Sequence, residues 1–279
     1  MNGLVVRGKT ARTVLWVLLA VVTVLYGFPF VYLLLTSFKT PLETIAVPAT
    51  VFGSEFTLEN YATALGREGV IASFINSTVT AVLSTAISLV LAVPAAYAIT
   101  RYRTPSGQVF ILVALVCRMV PAIVVGVPLV SLFRDLGIAD TSLALAIAHA
   151  TLSLPLSIWL MTSFFDAVPD ELDEAAKIDG CSRLGALRRV VLPVVSGGVA
   201  VTAIFAFLAS WNEFLFSLLL TSVRAQTTPI VIANFQTQFG LDWGSMTALA
   251  AVYSIPVVLL TLVLQRHIVA GLTLGAVKG

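Results

Sequence analysis

Charge is scarce in this chain. Its 279 residues hold sixteen lysines and arginines and fourteen aspartates and glutamates, 11% in all, beside 58% hydrophobic residues. Soluble domains carry about 25% charged residues, so an ordinary soluble fold is excluded and a polytopic membrane protein is indicated. A net charge of +2 leaves no polybasic surface for nucleic acid or anionic lipid. Cysteine and histidine are equally sparse. Cys117 falls in an apolar run and Cys181 in a polar loop, places unsuited to a structural disulfide, so both are read as free thiols. His149 and His267, with no clustered thiols or acids, give a metal site no support. The chain also lacks a G-x-x-x-x-G-K-[ST] phosphate loop, an H-E-x-x-H pair, aspartates paired within apolar runs and a recognisable Ser/His nucleophile arrangement. No catalytic residue is expected, and any ATP used must be bound by another polypeptide.

Long apolar runs are what the chain has in quantity. A hydrocarbon core of about 30 Å takes roughly 20 helical residues to cross, and six segments suffice: 13–35, 71–99, 107–133, 142–165, 193–220 and 244–265. The first follows Arg7, Lys9 and Arg12, is longer than a signal-peptide core and lacks a small-x-small cleavage site, so it reads as a retained span. Pro94, Pro121, Pro128, Pro155 and Pro256 lie inside spans, where membrane bundles tolerate them by satisfying the freed carbonyls locally. Eleven lysines and arginines fall on the side of the N-terminus and only Lys39, Arg67, Arg134 and Arg224 on the other, which predicts both termini inside. The expected organisation is an N-terminal tail, first span and outer connection over 1–70, a five-span core over 71–266 containing a polar loop at 168–193, and a C-terminal tail over 267–279. Within the outer connection "FTLENYATAL" predicts a short surface helix.

Ten of the thirty charged residues lie between Asp166 and Arg189. In "PDELDEAAKIDGCSRLGALRRVVLP" Asp170 is placed to cap a helix starting at Glu171, with Asp173 in the capping-box position and Glu171, Asp173 and Glu174 complementing the helix dipole. Leu172, Ala175 and Ala176 share a small-residue face, and Asp173 can pair with Lys177. Gly180 can end the helix in the left-handed conformation, and Ser182 can cap a second helix from Arg183 to Val191. A solvated loop whose charges only set topology is the competing reading, but topology requires Lys and Arg, not six neighbouring acids. Acids and alanines together favour a docking element for a protein partner.

"EAAKIDGCSRLGALRRVVLP" resembles the EAA loop of the membrane-spanning subunits of bacterial ABC importers, with Glu174, Ala175, Ala176, Asp179, Gly180, Leu192 and Pro193 at the motif positions. "LGIADT", "LPLSIWLMTSFF", "WNEFLFSL" and "RHIVAGLTLGAVKG" resemble the carbohydrate branch, the last especially the second permease of maltose-type systems. The resemblance implies an all-α type I importer permease fold of six transmembrane helices in the bacterial inner membrane. It also implies a coupling helix seated on a cytoplasmic ABC ATPase dimer that uses ATP and Mg, a second permease subunit, and an extracytoplasmic solute-binding protein. The implied cargo is a di- or oligosaccharide, with glycerol-phosphate-type solutes as the near alternative. Three positions depart from the pattern: Leu187 where an aromatic is common, Val130 where a tyrosine is usual, and Arg118 where an uncharged polar residue is frequent.

Ionisable groups inside spans are functional hypotheses by default. Arg118 falls near the middle of the third span, about eleven residues in, and Glu213 toward the far end of the fifth beside Trp211 and Asn212. Arg118, Asn212 and Glu213 are therefore candidates to line an aqueous path, with subunit packing as the alternative role and Trp211 as an interfacial anchor. His149 is read as a packed residue hydrogen-bonded across helices, and Gly197 and Gly198 as sites of close helix approach. A secondary transporter is the rival class, but it would be expected to place acids or broken helices at the midplane.

Overall fold

The computed structural model describes residues 9–103, 105–237 and 240–276, which form two compact units, one built from residues 9–68 with Asn234–Ser254, the other from the remaining described residues. Arg7 and Lys278, used in the topology count, and the end of the C-terminal tail lie outside the described residues.

In the first unit α1 (Lys9–Ser37) carries Trp16, Phe28 and Phe30 more than half exposed, as a lipid-facing helix requires. The chain then turns on Lys39, which is only 2% exposed: its ammonium donates to the Thr50 carbonyl and lies 5.0 Å from the Tyr32 ring centre. Asn60 fixes the same turn by donating to the Ser37 and Lys39 carbonyls. Within α2 (Pro41–Thr44), Glu43 accepts from the Ser54 hydroxyl and amide, which hold its carboxyl down to about 2. The helix predicted from "FTLENYATAL" is α3 (Glu59–Gly66). A two-residue antiparallel ladder, β1 (Gln236–Thr237) with β2 (Gly240–Leu241), is the one departure from an all-helical chain among the described residues.

The second unit starts with α4 (Val70–Tyr102), α5 (Pro105–Cys117), α6 (Ala122–Asp135) and α7 (Ser142–Asp166). The charged loop forms α8 (Glu171–Ile178), α9 (Arg183–Ala186), a π-helical segment Leu187–Val191 and α10 (Leu192–Val194). Then follow α11 (Ser196–Trp211), α12 (Leu215–Leu220) and α13 (Thr228–Ala233); α14 (Trp243–Ala276) belongs to the first unit up to Ser254 and to the second from Ile255, and continues as helix beyond the expected end of the sixth span. Apolar attraction between helices vanishes in lipid, so packing relies on small residues and interhelical hydrogen bonds. α4 meets that need with a buried stripe, Ser77, Ala81, Ser84, Ser88, Ala92 and Ala96, at three- and four-residue spacing. It packs on α7, where Ser88 Oγ and Ser153 Oγ lie 2.7 Å apart. Of the two glycines expected to allow close approach, Gly198 does so, because a Cβ there would collide with the Phe164 ring, whereas Gly197 faces open space.

Two expected spans are not single helices. The third breaks between Cys117 and Ala122 with a 90° bend. Pro121 supplies no amide to continue the ladder and biases Val120 away from helical geometry, so the chain closes instead on the tighter Met119-to-Val116 and Val120-to-Cys117 bonds. Pro94, Pro155 and Pro256 remain inside unbroken helices, as expected. The fifth span ends at Trp211, resumes only at Leu215, and is bent by 84° from the segment Arg183–Val194 before it. Among the described residues four helices, α1, α4, α7 and α14, are long and apolar enough to cross a membrane, and six segments are if each bent pair counts as one.

Candidate functional site

The charged loop folds as helix, turn and helix, but its acids do a different job from the one expected. Asp170 and Asp173 were assigned to capping α8; no side-chain cap is made there, and Asp173 does not pair with Lys177. Both carboxylates are taken by α4 instead. Asp173, 3% exposed, accepts from the Tyr97 hydroxyl and from Arg101 Nε, while Arg101 Nη1 reaches Asp170 at 2.7 Å and the Val168 carbonyl at 3.2 Å. Arg103 also binds Asp170, at 2.7 Å but with its side chain 75% exposed. A guanidinium offers several donors in a fixed fork, which the buried Asp173 and the half-exposed Asp170 together satisfy better than one orphan helix amide would. Arg183 lies against Tyr102, its guanidinium carbon 5.0 Å from the ring centre.

This clamp orients α8. Asp173 and Ala176 turn inward, so the two alanines do not share the outer face as expected; Ala175 is exposed with Glu171, Glu174 and Leu172. Ile178 is 86% exposed. The helix ends as anticipated on Gly180 at φ +81°, with Cys181 and Gly180 amides returning to the Ala176 and Lys177 carbonyls, beside the exposed Asp179. Ser182 caps α9 by accepting the Gly185 amide at 3.2 Å. Beyond it the backbone widens to a π turn, the Leu192 amide reaching Leu187. Leu187 and Val191 thereby sit in a core with Ala92, Ala96, Met161 and Phe165, which half-buried Leu192 adjoins, while Pro193 stays exposed.

Arg118 stands exposed in the break between α5 and α6, and Asn212 is exposed at the end of α11. Glu213 is engaged otherwise. Its carboxylate accepts the Phe216 and Ser217 amides at 2.9 and 3.2 Å, starting α12, and lies 3.0 Å from His149 Nε2. His149 Nδ1 is 2.7 Å from Ser210 Oγ, so the expected interhelical hydrogen bond exists and ties α7 to α11. Ser, His and acid are thus adjacent, an arrangement invisible in the sequence, but His149 is 1% and Ser210 5% exposed, which seals the hydroxyl from any substrate. Trp211, expected as an interfacial anchor, is 2% exposed and stacks on Phe207 at 5.4 Å. Among the described residues Arg118 and Glu213 are not paired with each other; Glu213 faces His149.

A second polar cluster went unassigned in the sequence, although "LGIADT" marks its key residue. Asp140, at φ +53°, accepts the amides of Ser222, Val223, Arg224 and Ala225 and the Ser222 hydroxyl, at 3.0–3.2 Å. The loop so gathered is held from its other side by α4, where Asn76 donates to the Arg224 and Gln226 carbonyls and Ser77 accepts the Thr228 amide.

A small-residue helix bundle with broken spans and a polar loop clamped to one of its helices is the build of a membrane-embedded helical protein. The chain belongs to the family described as binding-protein-dependent transport system inner membrane component, which matches residues 69–274. It is 38% identical over 271 residues to the probable ABC transporter permease protein y4oR of Sinorhizobium fredii, covering 97% of each chain. It is 36% identical to the sulfoquinovosyl glycerol transport system permease protein SmoH of Agrobacterium fabrum, over 90% of this chain and 89% of that one. Identity is also 36% to the trehalose transport system permease protein SugB of Mycobacterium tuberculosis, over 96% and 98%. The fold matches a chain of a bacterial ABC transporter involved in the import of the acidic polysaccharide alginate, with a TM-score of 0.77 at 21% identity, covering 93% of this chain and 98% of the other. The protein is thus an inner-membrane ABC importer permease with the expected type I fold.

Proposed function

We propose that this chain is the permease subunit of an importer for a carbohydrate, a di- or oligosaccharide or related glycoside, and that it forms the translocation path with a second permease. The observation that carries the coupling part is α8: its own chain fixes the inner face through Asp173, leaving Glu174, Ala175 and Asp179 outward for an ATPase subunit. ATP and Mg belong to that partner, and this chain contributes no catalysis. The lysine and arginine tally supports both termini in the cytoplasm, with the opposite face meeting a solute-binding protein. Cargo is supported by relatives named for trehalose, for sulfoquinovosyl glycerol and for diacetylchitobiose.

The test is ATP hydrolysis by the co-purified complex in a bilayer, stimulated by its binding protein loaded in turn with disaccharides, sulfonated or phosphorylated glycosides. Stimulation by a glycoside is expected; a response to none of the sugars would sink the carbohydrate assignment. Arg118, exposed at a mid-span break, and Asn212 are read as path residues, while Glu213 shapes the path by starting α12. Replacing Arg118 by glutamine is expected to lower transport about tenfold, the scale of one charge-assisted hydrogen bond, with complex assembly unaltered. Unchanged transport would remove Arg118 from the path.

A further inference from the structure

The connection that follows α1 is inside out for a segment that meets water. Its polar side chains are engaged within it: Lys39 is buried on the Thr50 carbonyl and the Tyr32 ring, and Glu43 accepts from Ser54 and from Thr40. The Thr57 amide closes the loop on the Phe38 carbonyl at 2.8 Å. Its large apolar side chains face away, and Leu42, Val47, Phe52, Phe56 and Leu58 are each more than two-thirds exposed. Single exposed apolar residues are ordinary, but a set this dense in one short segment marks a surface of interaction.

The same segment closes a groove on the end of α1. The helix supplies Val31, Leu34 and Leu35 from one face, and the connection supplies Phe38, Phe56 and Leu58, around a volume of about 560 Å³. No charged side chain lines it among the described residues. Phe38 fixes the second wall, lying edge-on to Phe56 at 6.4 Å and tilted against Tyr61 at 5.1 Å. Depth follows from α1: its apolar span begins at Arg12, and Val31 lies about 20 residues further on, about 30 Å along the axis, where a hydrocarbon core of that thickness ends. Among the described residues none of the most apolar stretch of α1 is buried, so the groove continues a lipid-facing surface.

We propose that this groove binds an acyl chain of a membrane lipid in the leaflet remote from the N-terminus, and that residues 42–58 lie in the interface beside it. Charge selects the chain and not the headgroup. Lys39 is the only cation from residue 38 to residue 58 and is buried, while Glu55 is exposed, so an anionic headgroup finds no partner here. Binding rests on apolar area, as for interfacial segments that lack a basic face. A seated lipid would hold the connection at one depth, and with it α3, whose Asn60 donates to the Ser37 and Lys39 carbonyls.

Photocrosslinking of the whole complex in phosphatidylcholine nanodiscs tests the groove without knowledge of the cargo. Benzoylphenylalanine is placed at Phe56, at Phe52 and, as a lipid-exposed reference, at Leu25 in the middle of α1, and the adducts are weighed by mass spectrometry. Lipid adducts at Phe56 and Phe52 are expected within about threefold of those at Leu25. Leu34→Ser with Leu58→Ser, both at exposed positions, should lower the Phe56 adduct about tenfold and leave the Leu25 adduct unchanged. Replacing half the lipid by phosphatidylglycerol should change the yield at Phe56 by about twofold or less. Crosslinks from Phe56 and Phe52 to another subunit in place of lipid overturn the proposal, because a protein then covers the patch. So does the absence of any adduct at both positions, the result for a segment in water. A Phe56 adduct indifferent to the double serine variant, or one that requires phosphatidylglycerol, overturns the acyl-chain groove.

Discussion

Replacing Arg101 by alanine is expected to destabilise the protein by about 3–5 kcal/mol, because Asp173 would remain buried with its cation removed. Asp173 is 4% exposed at the side chain and Arg101 12%, so little solvent can take the place of either partner. The Tyr97 hydroxyl would still donate to Asp173, which sets the effect toward the low end of that range. Arg103→Ala is the internal control. It touches the same Asp170, yet its side chain is 75% exposed, and exposed pairs contribute about 0–1 kcal/mol. Arg101→Ala with Asp173→Ala should be less damaged than Arg101→Ala alone, since the uncompensated charge is gone. Thermal unfolding of the purified complex checks all three. An Arg101→Ala variant as stable as Arg103→Ala would show that the buried pair holds nothing together.

The same pair explains why part of this site was legible in the sequence and part was not. Gly180 and Ser182 could be assigned because a left-handed helix end and a hydroxyl cap are local events, settled within a few residues. Asp170 and Asp173 could not, because their partners come from α4, some seventy residues earlier, and local capping rules see only neighbours. The two readings compete for the same carboxylates, and the long-range one wins since a guanidinium brings charge as well as donors. The same division holds in the spans. Hydropathy located each apolar run, but the 90° break after Cys117 depends on a proline whose effect is tolerated at Pro94 and Pro155 and not at Pro121. What differs is the neighbourhood: Pro94 and Pro155 lie in helices packed along their length on one another, which hold the ladder on either side. His149 was read correctly as a packed residue, but its partners Ser210 and Glu213 needed the fold to be seen. The family resemblance named the coupling loop and gave no role to Asp140, which the fold reveals as a backbone clasp.

Asp140→Ala is expected to release the 222–225 loop at a cost of about 2–4 kcal/mol, as a charged acceptor of several backbone amides contributes about 1.5–3 kcal/mol per bond and the bonds are not additive. A further contribution of about 1 kcal/mol comes from the left-handed φ of +53°, which Asp and Asn tolerate and Ala does not. Asp140→Asn keeps the backbone conformation and one acceptor oxygen, so it should lose roughly half as much. Partial burial opposes ionisation of Asp140, but the amides of Arg224, Ser222, Ala225 and Val223 outweigh it and hold the carboxyl well below the ordinary carboxylate range. The sign follows from that direction. A depressed carboxyl contributes its full stabilisation above the unfolded value of about 4 and loses it as pH falls toward the lowered folded value. The wild-type loop should therefore stay closed from neutral pH through mild acid and open only in strong acid. Asp140→Asn, having no charge to titrate, should show the same looser loop at every pH in that range. Amide exchange of residues 222–225 between about pH 7 and pH 4 reads both effects once corrected for intrinsic rates. A wild-type loop that opened near neutral pH would mean that the amides are held by something other than the Asp140 carboxylate.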